Sequence, residues 1–334
     1  MTHLQPYTQE DLKQHTRWRW GETKLGQSLA TLDADSSLQE HTARFVLLGI
    51  PEDIGVRANY GRPGTAKAWK RFMDAFCNIQ HNRHFEPDNI LVLGTIACQD
   101  LTAEADQLQT DDPFFPNKIG AIIKELDERV SDCIRAIVAV DKLPIVIGGG
   151  HNNAYGMLKG SSQALHKPIN CINIDAHTDF RPTEHRHSGN GFSYARETGH
   201  LGRYFMHGLH KNYTSEAIWK TLVADELCTY TLFDRWIEMS PETQSKLWNK
   251  NIKWLSNEAF GLELDLDAIA NMGSSAMSPT GFSLEEVRQM LQELVAKKQL
   301  CYVHLCEGAP KHELFPGQVG KALAVLVSDL IENK

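Results

Sequence analysis

The sequence predicts a three-layer αβα fold around a mostly parallel sheet of roughly eight strands. Short apolar runs recur along the chain, and most end in Gly or a charged residue, as strands buried on both faces do. Helical stripes lie between them. The order is therefore β–α repeated, which places helices on both faces of a parallel sheet.

The elements follow in chain order. Residues 1–42 are polar and weakly patterned, with an aromatic pair at Trp18 and Trp20, and read as a leader packed on the domain surface. Strands are expected at 45–50, 90–95, 144–148, 169–175, 204–209, 227–232, 260–267 and 301–307. Between the second and third, apolar residues at Ile119, Ile122, Ile123, Leu126, Val130, Cys133, Ile134 and Ile137 form one buried stripe of a helix over 118–140. Ser283-Leu284-Glu285-Glu286 reads as a capping box opening a helix to about residue 297. A closing helix spans 317–331, with Val319, Leu323, Leu326 and Leu330 on one face. No Pro- or Ser-rich linker and no repeat divides the chain, so 43–334 reads as a single catalytic domain.

Bulk properties narrow the function. With 42% apolar and 23% charged residues, the 334-residue chain sits near the averages of folded globular proteins. A net charge of -8 argues against a nucleic-acid partner. No apolar run is long enough to span a bilayer, and the start Met1-Thr2-His3-Leu4 lacks the pattern of a secretion signal. The seven cysteines show no paired spacing, and Cys171, Cys301 and Cys306 lie inside apolar runs. Free thiols in a reducing cytoplasm are the expectation.

Chemistry concentrates at strand ends. Asp175-Ala176-His177-Thr178-Asp179 follows the run 169–174, where ligands bind in open α/β sheets. The run 143–147 passes through Gly148, Gly149 and Gly150 to His151. The strand at 260–267 carries Asp265 and Asp267, which period-two geometry points to one side. The last strand ends in Glu307. His151, Asp175, His177, Asp179, Asp265 and Asp267 exceed one tetrahedral zinc site. They suit two adjacent divalent ions with bridging carboxylates, and the oxygen majority favours Mn²⁺ over Zn²⁺. The histidines at 185, 187, 200, 207 and 210 read as ordinary loop or strand-end residues.

These motifs resemble the ureohydrolase family of arginases, agmatinases and formimidoylglutamases. Gly148-Gly149-Gly150-His151-Asn152, Asp175-Ala176-His177-Thr178-Asp179 and Glu263-Leu264-Asp265-Leu266-Asp267 stand in the family's order, and coverage runs from about Phe45 to the C-terminus. The resemblance implies an arginase-like fold. It assigns one ion to His151, Asp175, Asp179 and Asp265, and the other to Asp175, His177, Asp265 and Asp267, with Asp175 and Asp265 bridging. The departures are Gly150 for the family's Asp, Asn152 and Glu263 for two Ser, and Ala270-Asn271 for Asp-Pro. Phe192 stands where arginases carry a His, as in formimidoylglutamases, and the loop Gly55-Val56-Arg57-Ala58-Asn59-Tyr60-Gly61-Arg62-Pro63-Gly64 also resembles theirs.

By that resemblance the chain is a hydrolase cleaving an amidine C–N bond, with N-formimidoyl-L-glutamate as substrate. A urea-releasing enzyme acting on arginine, agmatine or a guanidino acid is the alternative, and an inactive binding protein with this fold is a third reading. Asp179 and Glu307 are the expected catalytic residues: Asp179 moves a proton and Glu307 orients the amidine. Asn59, Arg62, Ser188 and Asn190 are the expected contacts to the amino-acid end, with Arg62 gripping a carboxylate through its bidentate fork. A homo-oligomer fits the family.

Overall fold

The apolar runs that read as strands pair edge to edge into one sheet, joined by two short strands from the first 31 residues. The computed structural model describes residues 1–33, 36–85 and 87–332. The strands are β1 (Leu4–Pro6), β2 (Ala30–Thr31), β3 (Phe45–Gly49), β4 (Ile90–Ile96), β5 (Leu143–Ile147), β6 (Ile169–Ile174), β7 (Leu201–Leu209), β8 (Cys228–Leu232), β9 (Phe260–Asp265) and β10 (Leu300–Cys306). Their order is β1-β4-β3-β5-β10-β9-β6-β7-β8, with β2 also on β4. Among the described strands only β1 runs antiparallel to its neighbour.

The eight expected strands are β3 to β10, and two differ at their ends in an informative way. The strand expected over 260–267 stops at Asp265, and Leu266–Ala268 forms a 3₁₀ turn. The Asp265 carboxylate accepts the Asp267 N–H at 2.8 Å, which ends the extended conformation. Asp267 therefore reaches its place from a turn and not by strand periodicity. At the other end, β7 begins three residues earlier than its apolar run. The first 42 residues are tied in more deeply than a surface leader. β1 covers the edge of β4, and Leu12, Leu25 and Leu29 are buried in the core, while Trp18 and Trp20 are exposed.

Period-two alternation splits the strand side chains between two apolar layers. Leu47, Ile145, Ile147, Ile172, Leu262, Leu264, Val303 and Leu305 face one way, toward the helices Ala68–Phe76, Pro241–Leu255, Leu284–Val295 and Gln318–Glu332. Val46, Leu48, Val146, Cys171, Tyr204 and Tyr302 face the other, toward the helices Phe115–Val138 and Ala154–Leu165. This is the expected three-layer arrangement. The expected capping box is present, with Ser283 Oγ accepting the Glu286 N–H at 3.2 Å. Among the described residues no helix is long and apolar enough to cross a membrane.

Two features place the site. β9 and β10 insert between β5 and β6, so the C-terminal ends of β5, β10, β9 and β6 lie side by side at a topological switch point. The helix Ala154–Leu165, which follows the end of β5 closely, packs tightly on Phe115–Val138 through Gly156 and Gly160. A Cβ at Gly160 would lie 2.5 Å from the Ser131 carbonyl oxygen. Gly160→Val should therefore cost about 1–3 kcal/mol of stability, read as a lower urea midpoint with an unchanged slope. A midpoint equal to wild type would show that the helices part without cost.

Candidate metal centre

The residues that build the site come from four strand ends with similar local designs. At the ends of β6 and β9, Asp175 and Asp265 each fold back on the chain. Asp175 Oδ1 accepts the His177 N–H at 2.7 Å, matching the Asp265–Asp267 contact. At the end of β5, Gly148 and Gly149 adopt positive φ (92° and 74°), which lets the chain turn sharply into His151. Asp179 and Glu307 also sit at positive φ (43° and 59°), a strained conformation for residues with side chains.

All six expected ligand residues come together. Carboxylate oxygens of Asp179, Asp175 and Asp265 lie 2.8, 3.3 and 3.4 Å from His151 Nδ1. His177 Nδ1 lies 3.1 Å from Asp267 and 3.6 Å from Asp175. His151 also groups with Glu263 and Cys306, and two acid-rich groups can each surround an ion: His151, Asp175, Asp179 and Asp265, and beside it Asp175, His177 and Asp267. Asp175 belongs to both.

The donor chemistry fits divalent cations. Burial opposes charge on His151, but Cys306 and the Asp175, Asp179 and Asp265 carboxylates hold its pKa well above the usual range. Asp267 and Asp175 override burial at His177 in the same way. Among the carboxylates, burial and the neighbouring acids push Asp265 and Asp179 up. Asp175 is held low despite its burial, by its contacts with His151 and His177. Without cations the cluster cannot hold all its charge in the ionised form. His151 Nδ1 and Asp267 Oδ1 are buried and have no hydrogen-bond partner among the described residues. Four carboxylates, two imidazoles and unpartnered donor atoms are the inventory of a binuclear site.

A cavity of about 610 Å³ opens onto the cluster, lined by His177, Asp179, Asp265, Asp267 and Glu307 on its floor and by Asn59, Ser188 and Arg181 elsewhere. Glu307 Oε1 accepts the His151 N–H at 2.7 Å, while Oε2 is buried without a hydrogen-bond partner within bonding geometry among the described residues. Burial pushes this carboxyl up to about 8, with the Ser275 and His151 hydrogen bonds opposing. Asn59 donates to Ser188 Oγ at 3.2 Å.

Two expected substrate contacts do not reach the cavity. Arg62 points to Met277 Sδ at 3.4 Å and is absent from the lining. Asn190 is fully buried, accepting from Arg186 and His187 and donating to the Pro182 and His185 carbonyls. It holds the loop together and does not face a ligand. Phe192 likewise packs edge-on against His151 at 5.2 Å and stacks on Tyr204, fully buried.

Three residues were not foreseen. Arg181 lines the cavity, and its Nη1 donates to Asn59 Oδ1 at 2.6 Å. Its place two residues after Asp179 was the available signal. Glu52 is fully buried and accepts from the backbone of Ile54 and Gly150 and from Asn153 Nδ2. Arg186 is buried in a bidentate pair with Asp127 (2.9 Å to both oxygens) and donates to the Asn152 carbonyl. It ties the 184–191 loop to the turn that carries His151.

The fold and the cluster define an α/β protein with the donor set of a binuclear metal centre. The arginase family profile matches residues 43–331, and the chain belongs to that family. It is 28% identical over 297 residues to the formimidoylglutamase of Geobacillus sp. (strain WCH70), covering 86% of this chain and 83% of that one. Identity to the Chromobacterium violaceum formimidoylglutamase is 27%, with 81% and 82% covered. Among solved structures, Bacillus subtilis formimidoylglutamase aligns with a TM-score of 0.75 at 15% identity, covering 95% of this chain and 94% of that one. Trypanosoma cruzi formiminoglutamase with Mn²⁺ aligns at 0.72 and 17% identity, covering 93% and 98%.

The remaining histidines of the central region stand outside the groups that can surround an ion among the described residues. His207 is fully buried against Phe282, Trp236 and Trp248, with Nδ1 2.7 Å from Thr231 Oγ1. Burial pushes its pKa down to about 3. The unfolded value is about 6.5, so between the two the unfolded chain binds the extra proton and stability falls as pH falls. His207→Phe should flatten the stability profile of metal-free protein between about pH 6 and 4, by about 1.4 kcal/mol per pH unit. Parallel profiles for the two proteins in urea would show that His207 is not the titrating group.

Proposed function

We propose that this chain hydrolyses N-formimidoyl-L-glutamate to L-glutamate and formamide, with 43–334 as its catalytic unit. The observation that carries this reading is the polarity of the cavity. Its floor is acidic, and among the described residues Arg181 is the one Lys or Arg in its lining. That substrate carries a cationic amidine at one end, with the α-carboxylate beside it, and a γ-carboxylate at the other, so its two ends match the acidic floor and Arg181. The formimidoylglutamase names of the relatives support the same substrate.

In this reading His151, Asp175, Asp179 and Asp265 hold one divalent ion, and Asp175, His177, Asp265 and Asp267 hold a second. The oxygen-rich donors and the Mn²⁺ of the Trypanosoma neighbour favour Mn²⁺. Bound there, such ions would supply the acidity that lets a water lose a proton near neutral pH. Attack on the amidine carbon makes it tetrahedral. Asp179, on the cavity floor, takes the proton of the attacking water and delivers it to the leaving nitrogen. The C–N bond then breaks, leaving the glutamate amine and formamide. The unpartnered Glu307 Oε2 receives an amidine N–H and fixes the plane of the electrophile. Arg181, braced by Asn59, takes a substrate carboxylate at the place first expected for Arg62, and Ser188 contacts the same end.

The test is a parallel assay of Mn²⁺-loaded protein with formimidoylglutamate, arginine, agmatine and guanidinobutyrate. Formamide and glutamate should appear from the first, and no urea from the others. Urea without turnover of formimidoylglutamate would overturn this assignment. Arg181→Ala should raise KM for formimidoylglutamate by about 10–100-fold with kcat little changed, the size of a lost charged hydrogen bond. An unchanged KM would remove Arg181 from the substrate site. Asp265→Ala should abolish turnover and lower the bound metal per chain while the fold survives. Wild-type turnover in that variant would refute the two-ion chemistry.

A further inference from the structure

One rung below the strand-end acids, the same face of the sheet carries a second polar row. Asn173 on β6, Glu263 on β9 and His304 on β10 are direct cross-strand partners. All three are fully buried. Asn173 Nδ2 donates to Asp175 Oδ2 at 2.8 Å. Glu263 Oε2 lies 2.6 Å from His304 Nδ1 and, as a charge contact without a hydrogen bond, 3.5 Å from His151 Nε2. His304 Nε2 lies 3.1 Å from the Gly148 carbonyl oxygen.

A carboxylate inside a central strand is costly, so its contacts need a reason. The two ring nitrogens of His151 face different surroundings: Nδ1 meets the acid cluster and Nε2 meets Glu263. A neutral imidazole has one N–H, and a carboxylate can only accept. Glu263 therefore selects the form with hydrogen on Nε2 and the lone pair of Nδ1 free toward the acids. That is the form a metal ligand must take. His304 holds Glu263 in turn and is itself anchored on the glycine turn that delivers His151.

We propose that Glu263 and His304 are positioning residues for the metal centre. Glu263 sets the tautomer and orientation of His151, and His304 fixes Glu263. The inference goes beyond the two-ion reading and rests on it. It assigns the pair to one ion only, because of the two acid-rich groups His151 belongs to the first and His177 to the second.

The test is calorimetric titration of metal-free protein with Mn²⁺ at fixed pH. Wild type should take up two ions. Glu263→Gln keeps the volume but can turn an N–H toward Nε2. It should weaken one of the two binding steps by about 10–100-fold, the usual range for such supporting contacts, and leave the other within about twofold. His304→Gln, which keeps a partner for Glu263 but loses the anchor on Gly148, should weaken the same step by a smaller factor. It also carries the test if Glu263→Gln does not fold. Wild-type constants for both steps in the variants would overturn the inference and leave the two-ion reading standing. Equal weakening of both steps with a lower melting temperature of the metal-free protein would reduce the pair to a structural role and also overturn it. A wild type that binds no Mn²⁺ would sink both readings.

Discussion

Four carboxylates and two imidazoles crowd into the ends of three neighbouring chain segments, and the rest of the site answers to the electrostatic cost of placing them there. A carboxylate without a partner inside a protein neutralises itself by taking a proton. The opposed shifts within the cluster, Asp175 down and Asp179 and Asp265 up, show that response. Two divalent ions would carry four positive charges against four carboxylates. The repulsion among the acids then becomes a contribution to ion affinity, provided the scaffold prevents them from moving apart. Strained backbone at Asp179 and Glu307 and the buried Arg186–Asp127 pair show where the scaffold holds them.

That constraint also explains how the departures from the family's motifs are accommodated. Gly150 lacks a side chain, yet a buried carboxylate stands beside it, because Glu52 reaches over from the segment after β3 and accepts the Gly150 N–H at 2.8 Å. A Cβ at Gly150 would in fact lie 2.6 Å from Asn152 Oδ1 and 2.9 Å from Val56, so the space is already taken. Asn271 in place of Pro adopts φ 60°, a left-handed conformation that Pro cannot reach and Asn tolerates. At Gly150 the missing carboxylate is thus supplied by a residue distant in sequence, and at Asn271 the change is met by the backbone itself.

The fold was legible because burial on both faces writes continuous apolar runs, and eight such runs became β3 to β10. The two strands of the first 31 residues were not, since segments of three and two residues carry no period. In the site, the six acid and imidazole residues were legible as strand-end motifs. Asn190 and Arg62 were misjudged for one reason: sequence gives the turn but not which way its side chains point. Asn190 spends all its hydrogen-bonding capacity inside the loop, and Arg62 turns to Met277. Glu52, Arg186 and His304 left no local signal, because their roles exist only through contacts made across the fold.

Substrate choice then depends on the cavity wall more than on the acid cluster, which any amidine or guanidine hydrolase of this kind would share. An alkylguanidine with an amine tail would bring a second cation into the cavity beside Arg181 and would offer Arg181 no substrate anion. Arginine offers one carboxylate but places an ammonium beside it, next to the same guanidinium. A dicarboxylate with a single cationic end satisfies Arg181 and adds no competing charge near it. Because Arg181 is held by Asn59 and lies 3.7 Å from Glu184 at the half-exposed rim, its charge is partly screened. In the proposed role it would favour anionic tails through a fixed fork more than through field strength alone, and orientation would be the quantity it controls.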